Sequence, residues 1–222
     1  MNYSRVNVDE VFRKNKIGPR YYTEKVPISI DGIDIDDDTV KAVAKMVMMK
    51  TKITGGAQGN EAIRCEYISE IVAGAVFSID KEIALKREEI QNGGRLDYAL
   101  LYNGCTICII EAKKDNMELG RAQLMEQMAD AYKILQDNNR ACILYGAVSN
   151  ADVWEFHSYD GNKFTHHDVT RPFPIFLNVG VEEYMRLIKP TMLIIKSVVS
   201  KAAGDQDRIM IVVESDSSIE ID

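Results

Sequence analysis

Two rhythms of apolar and polar positions run along this 222-residue chain. From Glu61 to Phe77 the apolar residues Cys65, Ile68, Ile71, Val72, Ala75 and Val76 fall on one face at helical spacing, which predicts a helix. Leu124, Met128, Ala131 and Leu135 predict another over Met117 to Gln136. Upstream, Asp36-Asp37-Asp38-Thr39 supplies capping acids for a helix over Val40 to Lys50, and Gly55 to Asn60 reads as a loop. Residues 1–35 are mixed, with extended segments between Val26 and Ile35 broken at Asp31-Gly32. Strands are predicted at Glu82–Ile90, Arg95–Tyr102 and Cys105–Lys113, the last two joined by the hairpin signal Asn103-Gly104. Ala141–Val148 has the continuous apolar character of a buried strand, and Val153–Tyr159 alternates up to a turn at Asp160-Gly161-Asn162. Asn178 to Ala203 predicts one or two helices, kinked or split at Pro190.

This order of elements predicts an α/β sandwich around a mixed sheet, with a βαβ connection between the third and fourth strands. Three regions follow. Residues 1–54 contribute N-terminal strands and a helix packed on the core, 55–204 form the core with its C-terminal helices, and 205–222 read as an acidic, disordered tail.

Charge refines the picture. The chain carries 34 acidic and 27 basic residues, a net charge of −7. The tail holds six acids against Arg208, so the remainder is near −2. No apolar run approaches the roughly 20 residues of a membrane span, and the N-terminus lacks the apolar stretch of a secretory signal. An intracellular protein, cytoplasmic or nuclear, is expected. The four cysteines then read as reduced thiols. Cys105 and Cys108 form a lone C-x-x-C, assigned to the core, and His166-His167 is assigned to a surface loop. The helical stretch Tyr184 to Val199 is either core or an oligomer interface.

The chemistry concentrates where an apolar strand ends on charge. Ile107-Cys108-Ile109-Ile110 runs into Glu111-Ala112-Lys113, and residues two apart on a strand share a face. Unpaired charge at the end of a buried strand is costly. A divalent ion between Asp97 and Glu111 would remove that cost, with Lys113 orienting or deprotonating a water and stabilising charge on a phosphate. Parity tests this. A two-residue turn at Asn103-Gly104 sets Asp97 opposite Ile110, on the wrong face. A three-residue loop with Gly104 in a bulge sets Asp97 opposite Ile109, on the face of Glu111 and Lys113, so the site predicts the bulged loop. Glu61 falls on the apolar stripe of its helix, either as a third carboxylate of the site or as a first-turn acid paired with Arg64. Glu66 and Glu70 fall on the solvated side.

Asp97, Glu111-Ala112-Lys113 and the helix beginning Asn60-Glu61-Ala62-Ile63-Arg64 together resemble the PD-(D/E)XK nuclease superfamily. Gln123 and Gln127, in Gly120-Arg121-Ala122-Gln123-Leu124-Met125-Glu126-Gln127, match the place where many members carry a glutamine on the helix after the third strand. Glu-Ala-Lys-Lys-Asp, Tyr145 to Asn150 and Trp154-Glu155-Phe156 are similar to the branch found in fungal and oomycete Crinkler-type effectors. The resemblance covers about Gly55 to Phe164, and Leu96 stands where the family name has proline. It implies a restriction-endonuclease-like mixed β-sheet flanked by helices. The implied activity is hydrolysis of DNA phosphodiester bonds with Mg²⁺ or Mn²⁺. Glu61, Asp97, Glu111 and the Ala112 carbonyl would hold the ion, Lys113 would position the water, and Gln123 or Gln127 would complete the site. A homodimer is expected, since cutting both strands takes two sites. The acidic balance leaves the DNA surface to Lys81, Lys86, Arg87, Arg95, Lys114 and Arg121. It also favours a rival, a catalytically silent module whose acidic tail steers a basic protein partner.

Overall fold

The computed structural model describes residues 6–18, 21, 24–56, 61–91, 94–169 and 179–217. Within these, helices α1 (Val8–Lys14), α2 (Asp37–Thr54) and α3 (Glu61–Phe77) precede strands β1 (Ala84–Gln91), β2 (Gly94–Tyr102) and β3 (Cys105–Ala112). Helix α4 (Met117–Asp137), strands β4 (Leu144–Ser149), β5 (Trp154–Tyr159) and β6 (Phe164–Val169), and helix α5 (Val181–Ser217) complete the chain. The strands lie in sequence order in one six-stranded sheet. All neighbours are antiparallel except β3 and β4, which α4 joins as a parallel crossover.

Local chemistry explains the boundaries. Asp36 caps α2 by accepting the Thr39 N–H at 2.8 Å, and Gly55 ends the helix in the left-handed region at φ 77°. Asn116 caps α4 through the Leu119 N–H at 2.9 Å. One sheet face packs Tyr98, Leu100, Ile110 and Phe156 against α2, α3 and α5. The other packs Ala99, Ile109, Leu144 and Val148 against α4, with Val11 of α1. No helix among the described residues is long and apolar enough to cross a membrane.

Four expectations are corrected. First, α5 runs unbroken past Pro190 and does not stop at Ala203. Buried Tyr184, Ile188, Met192, Ile195 and Val199 recur at helical spacing on both sides of the exposed proline, so packing overrides the lost hydrogen bond. Second, the tail is helical through Ser217 and is anchored at its start. Buried Gln206 donates to the Arg140 carbonyl at 2.9 Å, and Asp207 accepts from Lys81 and, at 2.8 Å, from the Tyr102 hydroxyl. Third, His166 and His167 are buried on β6 and do not form a surface loop. Fourth, the segment from Val26 to Ile35 forms no strand; it joins the ladder only through an isolated bridge from Val26 to His167 among the described residues. The predicted loop residues 57–60, Asn178 at the predicted start of the last helix, and tail residues 218–222 lie outside the described residues.

Candidate active site at the end of β3

The β2–β3 hairpin decides which side chains meet. Its turn is the two-residue one, with Tyr102 opposite Cys105 and positive φ at Asn103 (49°) and Gly104 (75°). The three-residue loop is therefore absent. The parity it was needed for arises further along, because Leu101 faces Thr106 while Leu100 faces Cys108, leaving Ile107 as an extra residue in β3. Beyond this bulge Tyr98 pairs with Ile110, and one more step sets Asp97 opposite Glu111. The carboxylates share a face after all, the face covered by α4.

Glu111 is 3% exposed, and both its oxygens are engaged. Oε1 accepts from the Lys113 ammonium at 2.5 Å, and Oε2 accepts from the Gln127 amide at 2.7 Å. Asp97 Oδ2 accepts the Ala112 backbone N–H at 2.9 Å, which fixes that carboxylate against the strand end. Lys113 donates its own N–H to the Ser149 carbonyl at 2.9 Å, so β4 holds the residue after the strand in place.

Burial pushes the Glu111 carboxyl up to about 7, and the negative charge of Asp97 adds to the effect against the opposing pull of Lys113 and Gln127. Burial works in the other direction on Lys113. The carboxylates of Glu111, Asp97 and Glu61 outweigh it and raise the ammonium above its ordinary value. The cluster thus sets three carboxyl groups around one ammonium.

An open cleft of about 370 Å³ meets this cluster at Lys113 and is lined also by Glu61, Asn116 and Gln123, while Asp97 and Glu111 lie outside its lining. Glu61 is exposed at the start of α3 and reaches the cleft. It does not pair with Arg64, which is buried and bonds to the Asn150 carbonyl and to Asp152 at 3.3 Å. Glu66 is bound to Lys50 at 2.7 Å and faces Arg87 at 3.6 Å, away from the cleft. The two glutamines divide the work. Gln127 is fully buried on Glu111, whereas Gln123 borders the cleft.

Gly120 is a further site residue that the spacing of charged groups did not single out. A Cβ there would lie 2.8 Å from Lys113 Cγ and 2.7 Å from a Val148 methyl. The absence of a side chain lets α4 close against the Lys113 stem. Gly120→Ala is expected to displace the ammonium from Glu111 and to lower thermal stability, because an added Cβ forces Val148 and the Lys113 stem to shift. The measurement is the thermal unfolding of the variant beside the unsubstituted protein. An unchanged unfolding temperature would show that the Lys113 stem has room to spare.

Comparisons with protein-family models, with curated proteins and with solved structures find no match to this chain.

Proposed function

We propose that the chain is a metal-dependent nuclease of the PD-(D/E)XK type, with a restriction-endonuclease-like core, which hydrolyses DNA phosphodiester bonds. One observation carries this reading: a β-bulge at Ile107 brings Asp97 onto the face of Glu111 and Lys113, and Lys113 lines an open cleft together with Glu61. The donor set fits a hard divalent cation. Asp97, Glu111 and Glu61 outnumber the ammonium of Lys113, and Glu111 is driven to hold a proton in the absence of further positive charge. Each carboxylate oxygen has lone pairs beyond the hydrogen bond it accepts. Asp97, Glu111 and the Ala112 carbonyl would hold Mg²⁺ or Mn²⁺, with Glu61 on the cleft side. The ion supplies water activation and neutralises charge on the phosphate.

The protein's own groups do the rest. Hydrolysis forms a bond from a water oxygen to phosphorus, breaks the in-line bond to the sugar oxygen, and leaves that oxygen to take a proton. Lys113 stays protonated at neutral pH because its value is raised. Its part is therefore to orient the water and donate to phosphate oxygens rather than to act as the base. Gln127 holds Glu111 in one rotamer, and Gln123 offers an amide at the cleft edge.

A second reading, a catalytically silent module acting through protein contacts, is favoured by the surface. Of the basic candidates for a DNA path, Lys81, Arg87, Arg95, Lys114 and Arg121 each sit in an ion pair with an acid. An apolar groove between α2 and α3 also leaves Phe77 82% exposed. The deciding experiment incubates the protein with plasmid, linear and single-stranded DNA in Mg²⁺, Mn²⁺ or EDTA, with Lys113→Ala alongside. Metal-dependent cleavage absent from the variant supports the nuclease. A folded protein that cuts nothing under any condition supports the silent module.

A further inference from the structure

Glu155, His157 and His166 form a second cluster on the same sheet face. Glu155 and His157 alternate on β5 with the core residues Trp154 and Phe156, and His166 pairs with His157 across the β5–β6 ladder. One ligand atom from each of the three lies within 4.8 Å of the other two. His157 is 1% exposed and His166 4%.

The Tyr21 hydroxyl lies 2.6 Å from His157 Nδ1, while His157 Nε2 is buried with no hydrogen-bond partner among the described residues. In the tautomer whose Nδ1–H donates to the Tyr21 hydroxyl, Nε2 carries a bare lone pair, the arrangement that second-shell partners impose on metal-binding imidazoles. Arg121 Nε donates to Glu155 Oε2 at 2.8 Å, which orients the carboxylate and leaves Oε1 for a ligand.

We propose that Glu155, His157 and His166 bind a borderline divalent transition ion, with Zn²⁺ as the representative, at a site separate from Asp97 and Glu111. Two imidazoles and one carboxylate form a donor set for such ions, whereas the oxygen-only cluster on β2 and β3 suits Mg²⁺ or Mn²⁺. Burial holds both imidazoles below their ordinary range and hence neutral, the form that ligates. Zinc bonds of about 2.0–2.1 Å draw the donors roughly an ångström closer than they stand, a rotation of the side chains on fixed strands. Glu111 pairs with Val148 and Val148 with Glu155, so the two sites share one row of the sheet about 10 Å apart. The ion would tie β5 and β6 together next to Tyr21.

The test uses the untagged full chain carrying Glu111→Gln, so that the other cluster cannot contribute. Equilibrium dialysis against Zn²⁺ is expected to leave one ion per chain, and adding His157→Ala to lower its affinity at least tenfold. The unsubstituted protein with ¹⁵N-labelled histidine gives a reading free of folding effects. Zn²⁺ is expected to shift the imidazole nitrogens of His157 and His166. Zinc taken up while those signals stay in place, as by the free thiols of Cys65 or Cys142, overturns the proposal, and so does no uptake at all.

Discussion

Lys113→Ala is expected to lower metal-dependent DNA cleavage by on the order of 10²–10³-fold and to leave the chain folded. Among the described residues the ammonium is the one cation bonded to Glu111, and it borders the cleft where a phosphate would lie. Its removal takes away the donor to the attacking water and to the charge developing on phosphate. The structural cost is smaller than burial alone suggests. A buried carboxylate deprived of its partner loses about 3–5 kcal/mol when it has no escape. Glu111 has one, because its carboxyl already stands at about 7 and takes up a proton when the ammonium goes. A loss of about 1–2 kcal/mol is expected. Cleavage rates and urea unfolding of the purified variant measure both effects. Cleavage at the unsubstituted rate would remove Lys113 from the mechanism.

Glu111→Gln separates stability from function. It is expected to abolish cleavage and the metal-induced thermal shift, yet to make the metal-free protein progressively more stable than the unsubstituted one as pH rises. The sign follows from the raised carboxyl. The folded state holds the Glu111 proton up to about 7, whereas the ordinary value is 4.5. Stability from this group is therefore present at pH 4.5 and lost as pH rises through 7. The glutamine carries no such proton. By pH 8 the difference between the two proteins should have moved by about 3 kcal/mol in favour of the variant. Taking the difference is essential, because His157 and His166, held neutral by burial, act oppositely and lose stability as pH falls through their ordinary 6.5. Unfolding in EDTA at several pH values gives the slope. Parallel curves for the two proteins would mean that Glu111 titrates normally in the folded state.

The elements governed by near neighbours were legible in the sequence. Helix α3 spans Glu61–Phe77 as its apolar stripe predicts, and Asn103-Gly104 forms the turn its residue types demand. Asp97, Glu111 and Lys113 were readable because a charge ending an apolar strand has few bland explanations, whereas Gln127, offered together with Gln123, came from the family resemblance alone. The rest depended on distant partners. The bulge at Ile107 leaves no mark in composition, since isoleucine suits any buried strand position. His166 and His167 looked like loop residues until β5 supplied the ladder that buries them. Arg64 turned from its neighbour Glu61 to Asn150 and Asp152, 86 and 88 residues away in the chain. Helix α5 continued past Pro190 because its apolar residues pack into the core, a restraint that local propensity does not contain.

The site depends on the extra residue at Ile107 staying bulged out of the ladder. Absorbed into a regular ladder behind the same two-residue turn, it would set Asp97 opposite Ile110 and turn Glu111 and Lys113 to the α3 and α5 side, while the hydrophobic strand could still pair. Deleting it would instead leave Asp97 opposite Glu111 with no bulge at all. The same pair of carboxylates can therefore stand on hairpins that differ by one residue in length, and a relative without the extra residue would keep both the sheet and the site.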